Sequence, residues 1–219
     1  GNIGNKAATK SLRMALSEAS DDVRSAVAEG CVLCAEQLHE QGDSQAAAEI
    51  YDEVRNADVP KQRIVEATRG AILVKGEEGI PILLDLFRSP DKAMFQLALG
   101  TVREYPDNNV DGFLVEEVVR ATPDRAALIL QAMADRIESV DLPAVVKFAQ
   151  QGPKQVRLSA IEALRRAGDD SCLATLLEIA NDDDADYRQA AIETLAVLPG
   201  ETLNEDIVAL LPKSEGKNH

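Results

Sequence analysis

Cys31 and Cys34 stand two residues apart, the spacing at which paired thiols do redox chemistry or ligate a metal. The segment Cys31-Val32-Leu33-Cys34 lies inside a helical apolar pattern rather than at a helix start, so burial should raise the thiol pKa and quiet it. No second pair completes a zinc site. Cys172 falls near an expected helix N-terminus, which can activate a thiol, but no histidine neighbours it as a base, and packing or a surface position is expected. Asp182, Asp184, Asp186 and Glu193 match positions 1, 3, 5 and 12 of a calcium loop. That loop needs glycine for its sharp turn where Tyr187 stands, and Arg188 and Ala191 belong to the next helix. Capping and the helix dipole account for aspartates there without a metal.

The other chemical inventories are equally short. His39 and His219 are the whole histidine content, too few for a histidine zinc site or a Ser-His-Asp triad. Carboxylates are abundant, yet none is singled out by an apolar pocket that would make it a general acid. Gly76-Glu77-Glu78-Gly79 is a turn of the wrong charge to cradle phosphate. The reading nominates no catalytic residue, no cofactor and no metal.

The scaffold is more legible than the chemistry. The 219 residues carry a net charge of −15, which disfavours nucleic acid, because phosphate neutralisation needs clustered cations. Apolar residues make up 45% with four Phe, three Tyr and no Trp, so the core must be Ala, Leu, Val and Ile in closely packed helices. No 18-residue apolar run and no charged-then-apolar leader is present, so no membrane span is expected. Gly1 reads as a tag remnant, and three cysteines do not settle the compartment, which an exported or a cytoplasmic protein would fit equally.

A lag of 31 residues organises the chain. Leu83, Leu114, Val145, Leu176 and Ile207 lie on it, with Leu84, Val115, Val146, Leu177 and Val208 beside them. Upstream, Ala67, Ala98, Ile129, Ala160 and Ala191 are followed by the small residues Gly70, Thr101, Ala132, Ala163 and Thr194. The next column, Ala71, Val102, Met133, Leu164 and Leu195, is apolar throughout. Both blocks have helical spacing, so each unit is a helical hairpin whose small column lets the next one approach. Gly76, Asp107, Glu138, Asp169 and Gly200 should stop the first helices. Asp141, Ser171 and Thr202 should cap the second, with Pro81 and Pro143 early inside them.

Val156-Arg157, Ala160, Ala163 and Leu164, and again Tyr187-Arg188, Ala191, Thr194 and Leu195, resemble HEAT repeats. The resemblance covers residues 61–215 as five units, with 216–219 a polar tail. It implies an all-α fold, a right-handed α-α superhelix (α-solenoid) of stacked antiparallel hairpins. Residues 21–60 depart from the period: Gly42-Asp43, Ala46, Ile50, Tyr51 and Pro60 resemble the second helix of a tetratricopeptide repeat. Residues 1–20, with Ala8, Leu12, Ala15 and Leu16, read as a capping helix or half repeat.

HEAT-like arrays line their concave face with second helices, which marks two columns: Ile82, Phe113, Ala144, Thr175 and Asp206, and Asp85, Glu116, Lys147, Glu178 and Ala209. An acidic row beside exposed Phe113 and Val119 would hold a basic-apolar protein or peptide. The resemblance thus implies a non-catalytic, monomeric interaction scaffold, part of a larger bacterial protein. A passive interdomain spacer is the alternative. So is a HEAT-like enzyme: a DNA glycosylase, which an acidic groove without Trp disfavours, or a bilin lyase, for which no residue constellation stands out.

Overall fold

The computed structural model describes residues 6–18 and 20–198. No strand occurs among them. They fall into two compact units, residues 1–121 and 122–219, whose boundary lies inside the 61–215 array.

The first unit contains α1 (Lys6–Glu18), α2 (Asp21–Glu40), α3 (Ser44–Arg55), α4 (Lys61–Lys75), α5 (Ile80–Arg88), α6 (Lys92–Glu104) and α7 (Asp111–Arg120). α1 packs on α2, α2 on α3 and α3 on α4; beyond that, α4 meets α6 and α5 meets α7. The second contains α8 (Pro123–Ala134), α9 (Leu142–Gln150), α10 (Lys154–Ala167), α11 (Leu173–Ile179) and α12 (Ala185–Leu195). There α8, α10 and α12 form one row and α9 and α11 the other. Within each unit, hairpins stack in chain order, the layering of an α-solenoid.

The period is kept to the residue. α4, α6, α8, α10 and α12 begin at 61, 92, 123, 154 and 185, and α5, α7, α9 and α11 at 80, 111, 142 and 173. Leu83, Leu114, Val145 and Leu176 are buried, as are all three upstream columns from Ala67 to Leu195. Each buried Leu or Val contributes roughly 1.5–3 kcal/mol, and the small columns let successive first helices close on one another. The row from Leu84 to Leu177 is only half-buried, the flank of the stripe. Gly200, Thr202, Asp206, Ile207, Val208 and Ala209 lie outside the described residues.

Local chemistry sets the helix starts. Asp91 accepts from the Ala93 N–H at 2.8 Å, Asp141 from Ala144 at 3.0 Å and Asp184 from Asp186 at 2.9 Å. Pro81, Pro123 and Pro143 sit in first turns, where a missing N–H costs nothing. Ser171 is not a cap: Asp169 caps a 3-10 turn by accepting from the Ser171 N–H and Oγ, and α11 follows at Leu173. The expected stops hold at Gly76, whose φ of 56° favours glycine, but not at Asp107, Glu138 or Asp169. α6, α8 and α10 end earlier, at Glu104, Ala134 and Ala167. For α10 the reason is Gly168, where a Cβ would stand 2.4 Å from the Leu164 carbonyl oxygen.

Candidate functional site

The residues with conspicuous chemical spacing are mostly occupied by the fold. Cys31, Cys34 and Cys172 are buried free thiols. Burial, reinforced by Cys34 and Glu53, pushes the Cys31 thiol up to about 11, so at neutral pH it is a protonated core side chain. Asp182 accepts from the Asp184 N–H at 2.9 Å and from Arg157 at 3.2 Å. Lys154 Nζ reaches Asp184 at 2.8 Å and Asp186 at 2.5 Å. The Lys154 hydrogen bond is the main force holding the Asp184 carboxyl below its usual range. Glu193 instead takes the Gln189 side chain at 2.7 Å along α12. The aspartate run is therefore a capping and ion-pair system between α10 and α12, completed by the Arg157 guanidinium 3.8 Å over the Tyr187 ring. Among the described residues no cluster of His, Cys, Asp and Glu fits a metal. His39 is exposed beside Ser44 Oγ at 3.0 Å, and His219 lies outside the described residues.

In the first unit the outward second-helix residues lie on α5 and α7. Asp85 and Glu116 are exposed, Ile82 is half-buried, and Phe113 keeps 42% of its surface in water. Val119 is 71% exposed but stands about 120° round the helix from Phe113 and belongs to a flank. The row is less acidic than its carboxylates suggest. Arg120 pairs with Glu116 at 3.2 Å, while Arg88 pairs with Glu117, a buried carboxylate that the sequence does not single out.

In the second unit Lys147 on α9 and Glu178 on α11 are exposed and Ala144 is half-buried. Thr175 is not a lining residue: it is buried, and Gln150 Nε2 donates to its hydroxyl at 3.3 Å. α11 tucks this position against α9, so the inner column expected from the lag loses its polar member among the described residues.

The invariant helix step and the buried columns have a counterpart in sequence comparison, where the HEAT-repeat family model matches residues 113–196 and 142–213. Residues 113–213 therefore carry HEAT-type repeats. No curated protein matches the chain. The HEAT units account for the second-helix rows above, but the cavities of the first unit lie outside the matched stretch. A cavity of about 640 Å³ opens between α1 and α3, with Met14, Ala46 and Ile50 in its wall. A second, of about 330 Å³, lies between α2 and α4 over Tyr51. Sequence reasoning missed both. The available signal was Glu29, Leu33 and Glu36 at i, i+4 and i+7 on one face of α2, which the helical spacing alone could have exposed.

Proposed function

We propose that this chain is a non-catalytic interaction module that holds a protein partner on the outward faces of its second helices. The observation that carries the reading is Phe113, a large aromatic side chain held 42% exposed on α7 one turn from the exposed Glu116. Partly exposed aromatics ringed by charge are the usual anchors of protein interfaces. HEAT arrays offer extended surfaces of this kind. The conspicuous aspartates are engaged in caps and ion pairs, which supports a binding role over a catalytic one. A monomer that binds a basic-apolar segment and leaves nucleic acid alone agrees with the net charge of −15. No described helix is long and apolar enough to cross a membrane.

The test is affinity capture with the wild type and with a Phe113→Asp, Lys147→Glu double variant. A partner recovered by the wild type and lost by the variant supports the reading. Equal recovery by both ends it, and tight binding of duplex DNA at low salt would replace it with a nucleic-acid role.

A further inference from the structure

The α2–α4 groove is a separate place from the second-helix face, and its chemistry is more specific. Its volume of about 330 Å³ is at the small end for a ligand pocket and has room for one large side chain of a partner. Glu29, Leu33 and Glu36 line it from α2, and Leu33 keeps 41% of its surface exposed there. Gly70 of α4 stands opposite, and Tyr51 of α3 forms the floor.

Gly70 decides where the phenol goes. A Cβ at this position would lie 2.4 Å from Tyr51 Cε1 and Cζ, so only glycine lets the hydroxyl end of the ring lie against the α4 backbone. Tyr51 is 4% exposed and lines the groove, yet its hydroxyl has no hydrogen-bond partner among the described residues. What little of Tyr51 is exposed includes its hydroxyl oxygen, which opens onto the cavity and is available to a ligand there. Burial, with the nearby Glu36 charge, pushes it up to about 12, so it stays protonated and can both donate and accept.

The charges around it are not balanced. Arg63 is shared by Glu29 at 2.7 Å and Glu66 at 2.6 Å, and Arg69 is taken by Glu104. Glu36 lies within electrostatic reach of both Tyr51 and Arg69 but forms no ion pair or hydrogen bond among the described residues. The groove therefore offers a free carboxylate, an unused hydroxyl and an apolar ledge, and it is anionic overall.

We infer that this groove takes an arginine side chain from an extended protein segment, with an apolar neighbour of that arginine resting on Leu33. A guanidinium supplies several N–H donors in a planar fork, enough to meet the Glu36 carboxylate and the Tyr51 oxygen together while its stem covers the Gly70 backbone. The inference does not depend on the second-helix face.

The probe is a fluorescein-labelled hexapeptide with one central arginine between leucines, read by polarisation against the full chain. A peptide with citrulline in its place keeps the shape and removes the charge. The wild type is expected to bind the arginine peptide saturably and the citrulline peptide at least about tenfold more weakly. Glu36→Gln, on the exposed edge of α2, should weaken arginine-peptide binding by about tenfold, and Tyr51→Phe by about threefold with an unchanged melting temperature. Phe113→Asp should leave peptide affinity intact. No saturation by the wild type up to about 1 mM, or wild-type affinity in Glu36→Gln, overturns the groove assignment. Loss of peptide binding in Phe113→Asp alone would overturn it too, while favouring the second-helix face.

Discussion

The hairpin α2–α3 and the hairpins of the 31-residue array do the same architectural job with different materials. In the array every step is identical, and the helices meet through columns of Ala, Leu, Val and small residues that are fully buried. In the N-terminal hairpin α2 has 20 residues and α3 has 12, and they are joined through Gly42 at φ 86°. Its buried residues include Cys31 and Cys34, and it meets α4 through an aromatic ring laid on Gly70. Periodicity follows where identical small contacts repeat. Where the irregular hairpin meets the array, a phenol lies on Gly70 instead, and its hydroxyl has no protein partner among the described residues. Spare chemistry therefore gathers at the irregular hairpin, not in the regular stack.

Core truncation should separate the two regions most strongly. Leu164→Ala or Leu114→Ala, at fully buried array positions, should cost about 3 kcal/mol in urea unfolding followed by circular dichroism, against about 1 kcal/mol for Cys34→Ala in α2. A leucine cost as small as that of the cysteine would mean that the array columns are loosely packed.

Gly70→Ala comes next, at about 2 kcal/mol of destabilisation, because the new methyl overlaps the Tyr51 ring, which must shift out of its packed position to admit it. Tyr51→Leu should relieve most of that penalty in a double-mutant cycle, and additive costs would show that the ring contact is not its origin.

A smaller effect is a split in pH sensitivity. Lys61 holds the Asp91 carboxyl below its usual value of 3.8, Lys154 does the same for Asp184, and a backbone N–H followed by Arg157 does so for Asp182. A depressed folded value means that this stability is present above about pH 4 and lost as pH falls through the folded values. Cys31, raised to about 11, and Tyr51, raised to about 12, act in the opposite sense. Their share is present below about pH 9 and lost as pH climbs through the folded values. In the N-terminal region Asp52 adds an acid-side share, since Lys75 and Arg55 hold it low against its burial. The buried thiols are built-in reporters. With a thiol reagent active at both extremes, Cys31 and Cys34 should open first in alkali and Cys172 first in acid, and simultaneous labelling would contradict the split.

Gly100 supplies the mild counterpart of Gly70. A Cβ there meets nothing within 4 Å, so Gly100→Ala should stabilise α6 by about 0.5–1 kcal/mol through helix propensity. The least change in stability, within about 0.5 kcal/mol, is expected for Phe113→Asp, since an exposed anchor contributes to binding and not to the core. A larger loss in its thermal melt would recast Phe113 as a packing residue.

Most of the scaffold was legible in the residues themselves. Leu83, Leu114, Val145 and Leu176 recur because each hairpin must bury the same stripe, and Asp141 and Pro143 announce a helix start by local hydrogen-bonding rules. The surface was legible in part: Asp85, Glu116, Lys147 and Glu178 face water as an outward row should. Thr175 failed because the short α11 turns it onto Gln150, and Val119 because a six-residue step rotates it away from Phe113. The acidic tone of the row was overstated, since Arg120 comes from the following turn and covers Glu116, while Arg88 reaches from α5 to the buried Glu117.

From residue types and spacing alone came the helical class, the 31-residue step, the buried columns and the net negative charge, because each is written in residue types and their recurrence along the chain. Tertiary packing decided the rest. That Tyr51 rises through the gap at Gly70, that Glu36 is left without a cation, and that Asp182 and Asp184 serve α10 rather than a metal all rest on contacts between helices. Such contacts depend on how far apart two backbones settle, and that distance is set by side chains dozens of residues away along the chain.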